Sequence, residues 1–116
     1  MPAKSSKEQF LEYVLSDVLS EESGISSRAM FGGYGIYKDG VIFAIIANER
    51  CYFKVDDSNR SDYEQYGSGP FVYSHGRHKS TTMSYWELPV DIMEDRQQVA
   101  DWVHKSYLVS LNSKKK

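Results

Sequence analysis

A single cysteine, Cys51, stands in this 116-residue chain, so no intrachain disulfide can staple it. Stability must come from one modest hydrophobic core, which a chain of this length can build as a single domain. An excess of charge is missing too. Fourteen Lys and Arg face 16 Asp and Glu, and a formal net charge of −2 announces neither nucleic acid nor an anionic membrane. No long apolar run is present: the longest, Val41 to Ala47, falls far short of the roughly 20 residues a membrane-spanning helix needs. No apolar stretch of signal-peptide length follows the first lysines either. The expectation is a cytoplasmic protein in a reducing setting, without membrane contact. Aromatic side chains, in contrast, are plentiful. They make up 14 % of the chain, nine of them tyrosines, which suits a sheet packed on one face and half exposed on the other.

Local signals order the chain. Ser5 and Ser6 precede Glu8 and Gln9 at the offset of a capping box, and Phe10, Tyr13, Val14 and Val18 trace the apolar face of a first helix, widened by Leu11, Leu15 and Leu19. Gly24 supplies a left-handed stop. Ser26 to Lys38 reads as one extended stretch in which Gly32, Gly33 and Gly35 suggest a bend or bulge. Asp39-Gly40 is the strongest hairpin signal, since a two-residue primed turn needs positive φ at both positions. Val41 to Ala47, apolar on both faces, belongs in the middle of a sheet, and Asn48-Glu49 turns the chain into a strand whose Cys51, Phe53 and Val55 point one way. Tyr63 and Tyr66 support a short helix ending by Gly67. Phe71 to Ser74 and Ser80 to Trp86 form a second hairpin, with Pro89 ending it. After a turn at Val90 to Glu94, a box of Asp95 and Gln98 opens a last helix whose inner face is Val99, Trp102, Val103 and Tyr107. The expected fold is α+β in two layers: helix, three strands, helix, two strands, helix, with an antiparallel five-stranded sheet and helices on one face, ordered from about 6 to 111.

The chemistry-bearing residues form no catalytic set. Cys51 opens a strand without the helix N-terminus or adjacent histidine that would activate a thiol, and reads as a buried, inert group. His75 and His78 lack further ligands nearby and His104 lies on the last helix, so no metal site is expected. His75, Arg77, His78 and Lys79 make a basic hairpin tip, read first as solvated. Glu21-Glu22 and Asp56-Asp57 sit where helices end and begin, and no acid and base pair emerges. Arg28 to Gly35 is the most unusual segment, because three glycines among large side chains imply a bent backbone or a close approach. It feeds a strand rather than a helix, which argues against a phosphate cradle.

Three separated blocks carry a resemblance: Arg28-Ala29-Met30-Phe31-Gly32-Gly33-Tyr34-Gly35, Cys51-Tyr52-Phe53-Lys54-Val55-Asp56, and Met83-Ser84-Tyr85-Trp86-Glu87-Leu88-Pro89. Together they make residues 25 to 107 similar to the N-terminal domain of the TfoX/Sxy competence regulators. The resemblance implies a fold like that of type III secretion chaperones, and a non-enzymatic regulator acting with the cyclic-AMP receptor protein at promoters. The family's longer members carry a second, C-terminal domain, and this chain stops a few residues after its last helix.

The reading is a regulatory or protein-interaction domain, neither enzyme nor cofactor protein. Its partner is a protein, such as a transcription factor already on DNA. The last helix sets Arg96, His104 and Lys105 against Glu94, Asp95 and Asp101, so strong direct DNA binding is not expected. A homodimer is expected, because the tyrosines and tryptophans exceed what so small a core can absorb. Candidate partner-contact residues are Arg28, Met30, Phe31, Gly32, Gly33, Tyr34, Gly35, Lys54, Tyr85 and Trp86. The competing reading is a small-ligand binder or enzyme, which a deep pocket beside Gly32 to Tyr34 with Arg28, Lys54 and a tyrosine hydroxyl converging would favour.

Overall fold

Tight connections fold residues 25–54 into a four-stranded meander: β1 (Ile25–Met30), β2 (Gly33–Lys38), β3 (Val41–Ala47) and β4 (Arg50–Lys54). The structure, a computed structural model, describes residues 6–30, 32–74 and 80–114. Asp39 and Gly40 take φ of 50° and 81°, the primed turn expected of them, and Lys38 faces Val41 across it. Asn48 and Glu49 repeat that geometry at 52° and 58°, pairing Ala47 with Arg50. The stretch expected as one extended segment is instead two strands. The chain turns at Gly32, whose φ is 75°, so that Met30 pairs with Gly33 and Arg28 with Gly35. The sheet therefore has six strands, not five.

The remaining strands are β5 (Pro70–Ser74) and β6 (Ser80–Glu87). The order is β1-β2-β3-β4-β6-β5 with every neighbouring pair antiparallel, so β6 slots between β4 and β5 and puts β5 on the edge. The basic tip at 75–79 lies outside the described residues, as do Ser5 and Phe31. Between the two strand groups sits α2 (Arg60–Glu64), ended by Gly67 at φ 72° as expected. Asn59, buried ahead of it, accepts from the Asp56 amide and donates to the Lys54 carbonyl, at 2.9 and 3.1 Å, pinning the β4–α2 connection.

The first helix, α1 (Ser6–Tyr13), passes into a π-helical turn over Val14–Val18, closed by a 2.8 Å bond from the Leu19 amide to the Val14 carbonyl. That turn and its exit bury Val14, Val18 and Leu19, while α1 itself buries no residue fully. The segment expected as a turn before the last helix is a helical turn, α3 (Val90–Met93), burying Ile92 and Met93. Asp95 caps α4 (Arg96–Lys114) as predicted, accepting from the Gln97 and Gln98 amides while the Gln98 side chain reaches back at 2.9 Å. The buried stripe of α4 continues through Ser106, Val109 and Ser110, leaving Tyr107 only half-buried. A small serine suits that contact: Ser106 lies against the sheet and donates to the Lys54 carbonyl at 2.8 Å.

Packing separates the two faces of the sheet. The helices cover one, where Phe43, Phe53, Ile36, Val103, Trp102 and Ile92 meet Val14 and Val18. Cys51, Phe53 and Val55 all join this side, as their alternation predicted. A bulge in β3 opposite Ile36 and Tyr37 turns Phe43 and Ala44 toward the helices together and leaves Ile42 and Ile45 on the other face. There, without any helix, Ile45, Tyr52 and Tyr85 are buried by Ile42, Ala47, Phe71 and Met83. No helix among the described residues is long and apolar enough to cross a membrane.

Candidate functional site

Strand alternation decides which of the expected contact residues meet. Arg28 and Met30 share one face of β1, Lys54 sits on β4 and Tyr85 on β6, and all four fall on the helix-free outer face of the sheet. Arg28 is exposed on the outermost strand opposite Gly35. Lys54 and Tyr85 are cross-strand partners, with the ammonium 4.9 Å from the centre of the phenol ring. Partial burial lowers the Lys54 pKa below its usual range, against a smaller opposing pull from Asp56. Trp86 goes the other way. Its ring lies on the helix side, 6.4 Å from that of Tyr63, and borders an open cleft with Asp56, Asp57 and Arg60.

The glycines of the motif have separate jobs. A β-carbon at Gly33 would overlap the Ile46 carbonyl oxygen, so this residue is set by the backbone of β3 passing against it. A β-carbon at Gly35 would instead meet the Met30 side chain, 2.6 Å from its methyl, and Ile42 at 3.1 Å. The missing side chain at Gly35 is thus the space that Met30 and Ile42 lean into. Gly32 serves the turn and would touch nothing.

Beside this motif the outer face folds around a cavity of about 320 Å³. Met30, Ile42, Ile45, Ala47, Phe71 and Met83 form its apolar wall, with Tyr85, and the cross-strand partners Tyr34 and Ile46 border it although they also pack on the helix side. A pocket beside Gly32 to Tyr34 therefore exists, with Tyr34 and Tyr85 in its lining, but Arg28 and Lys54 are not among the described residues that line it, so the full convergence expected of a ligand binder or enzyme is met only in part. Burial raises the Tyr85 hydroxyl above its ordinary pKa, with Tyr37 adding to it, and the phenol stays protonated at neutral pH. Cys51 is fully buried under the sheet, where desolvation and then the Glu87 carboxylate push its thiol up to about 12, as far from a nucleophile as the sequence suggested. Among the described residues no three His, Cys, Asp or Glu gather as a metal site.

The sequence reading missed Ile42, Ile45, Ile46, Ala47, Phe71 and Met83 as members of this site. Each stood in a strand already recognised, and for those on β3 the signal lay in its being apolar on both faces while helices can cover only one.

A comparison with curated proteins finds no match. The family model of the TfoX N-terminal domain matches residues 17–110, from the π-helical turn through all six strands and most of α4, including every block from which the resemblance was drawn. With the fold and the three blocks in agreement over most of its length, the chain belongs to the TfoX N-terminal domain family.

Proposed function

We propose that this domain is a non-enzymatic regulatory module that holds a protein partner on the helix-free face of its sheet, in the manner of a competence co-regulator whose DNA contact belongs to the partner. The observation that carries the reading is the gathering of Arg28, Met30, Lys54 and Tyr85 on that face, with cations at the margins of an apolar centre. Interfaces place their energy in such apolar and aromatic centres, and marginal charges steer the encounter. The basic side chains described on α4, Arg96 and Lys105, are occupied: Arg96 donates to the Met93 carbonyl and Lys105 pairs with Asp62 at 2.8 Å. That supports a promoter role exercised through a bound transcription factor.

The test separates binding from folding. Arg28→Ala with Lys54→Ala should leave the melting temperature within a few degrees and strip the partner from a nuclease-treated pull-down; equal loss of both would make these folding residues. The purified domain titrated against a labelled duplex should show nothing tighter than roughly micromolar affinity at physiological salt. Tighter binding would overturn the protein-partner reading. We also propose that β1, an edge strand, pairs two copies, and sedimentation at micromolar concentration should give a dimer.

A further inference from the structure

We infer that the cavity on the outer face is a ligand site for a medium-chain carboxylate, with the alkyl chain inside and the head outside it on a flanking cation, Arg28 on one side or Lys54 on the other. This goes beyond the protein-partner reading, and its test needs no partner. At about 320 Å³ the cavity falls in the size range of small-molecule sites. An apolar cavity of ~150 Å³ stays dry and accepts benzene, so about a dozen carbon atoms fill this one. Among the described residues its side chains bring no charge, and only Tyr34 and Tyr85 carry hydroxyls, so water has few partners among them. Met30 and Met83 stand in its wall, and thioether chains adapt to a guest better than branched ones. Gly35 leaves room for the wall residues Met30 and Ile42, since any side chain there would meet both.

Charge selects the head group. Glu87 is the one acid in all six strands, and Arg50 holds both of its oxygens at 3.1 Å. Lys38, on β2, is taken by Glu22 and the Ser23 carbonyl. Among the described residues, no carboxylate forms a salt bridge with Arg28 or with Lys54, although Asp56 acts on Lys54 electrostatically. Arg28 stands opposite Gly35, two residues from Met30 of the cavity wall, and the Lys54 ammonium lies over the ring of Tyr85, another wall residue. A carboxylate leaving the cavity beside Arg28 would meet a cation without a competing acid, and one leaving beside Lys54 would share its cation with Asp56.

The full chain is titrated calorimetrically with sodium dodecanoate below its micellar concentration, and with hexanoate and dodecanol. Dodecanoate should saturate at one equivalent, and hexanoate should bind at least about a hundredfold more weakly, as lost methylene burial requires. Ala47→Phe, which fills the cavity, should weaken dodecanoate by about tenfold or more with the melting temperature held. If that variant loses its cooperative melt, Ala47→Leu serves as the smaller filler. Arg28→Gln with Lys54→Gln should weaken dodecanoate about tenfold and leave dodecanol unchanged. No saturable uptake, binding indifferent to the filled cavity, or equal affinity for hexanoate would each overturn the assignment. An equal effect of the charge variants on dodecanol would remove the carboxylate head.

Discussion

Glu49 holds a φ of 58° beside Asn48 at 52°, although it has a β-carbon and no side-chain reason to be left-handed. That conformation costs roughly 1–2 kcal/mol for a non-glycine residue, against roughly 0.5–1 kcal/mol of extra unfolded-chain entropy for glycine. Glu49→Gly should therefore raise stability by about 0.5–1 kcal/mol in urea unfolding, and a destabilised variant would show that the Glu49 side chain has a stabilising role of its own. Gly33 and Gly35 should respond unequally to alanine. At Gly33 the obstacle is the Ile46 backbone, which cannot yield, and the loss should reach at least about 2 kcal/mol. At Gly35 the obstacle is the end of Met30, a flexible chain facing a cavity, and the loss should stay under about 1 kcal/mol. Equal losses would contradict the separate jobs assigned to the two residues.

Helix α4 is held in the core through Trp102, which is 8 % exposed and meets the Tyr63 ring tilted at 4.5 Å and the Tyr66 ring edge-on at 5.8 Å, ring centre to ring centre. The contact joins α4 to α2 and sits next to the core that β3 and β4 present to the helices. Trp102→Ala should cost about 3–5 kcal/mol, measured by chemical denaturation, because removing a buried indole leaves a cavity that the surrounding core closes only in part. A loss below ~1 kcal/mol would mean that α4 docks elsewhere. Tyr63 adds a different test of the same contact. Its hydroxyl lies beside Ser106 but makes no bond of adequate geometry, so it is buried unsatisfied. Tyr63→Phe should leave stability unchanged or raise it by up to about 1 kcal/mol, since an unpaired buried hydroxyl is a cost removed.

Alkaline pH acts on the molecule as a whole. Burial raises the acids Cys51, Tyr52, Tyr63 and Tyr85 above their ordinary values, the thiol going from 9.0 to about 12. Between those two values the unfolded chain has released the Cys51 proton and the folded one has not. The unfolded state then binds fewer protons, and stability falls as pH rises. The contribution is complete below about pH 9 and is lost progressively toward 12, at about 1.4 kcal/mol per pH unit for each retained proton. Lys54, a base held below its usual value, works in the opposite direction over its own range. The urea midpoint should stay level from pH 7 to 8.5 and drop above 9, with Cys51→Ala making the fall shallower by one proton. A midpoint level to pH 11 would show that these groups reach solvent.

Much of the fold was legible because its cues are local. Asp39-Gly40 demands a primed turn wherever it occurs, Asp95 with Gln98 satisfies the first amides of a helix from within four residues, and Cys51, Phe53 and Val55 share a face by strand geometry alone. The chain by itself also determined that β3 lies inside a sheet, since apolar residues on both of its faces admit no other place. Tertiary structure decided the rest. Three glycines in a row of large residues fit a bulge or a turn equally well, and only the pairing of Arg28 with Gly35 makes two strands of them. Ser106 and Ser110 carry no apolar signal in the sequence, and only the docking of the helix on the sheet buries them. The cavity has no counterpart in any segment, because its wall is drawn from β1, β2, β3, β5 and β6, and the space among them exists only once non-local strand pairing has set their order.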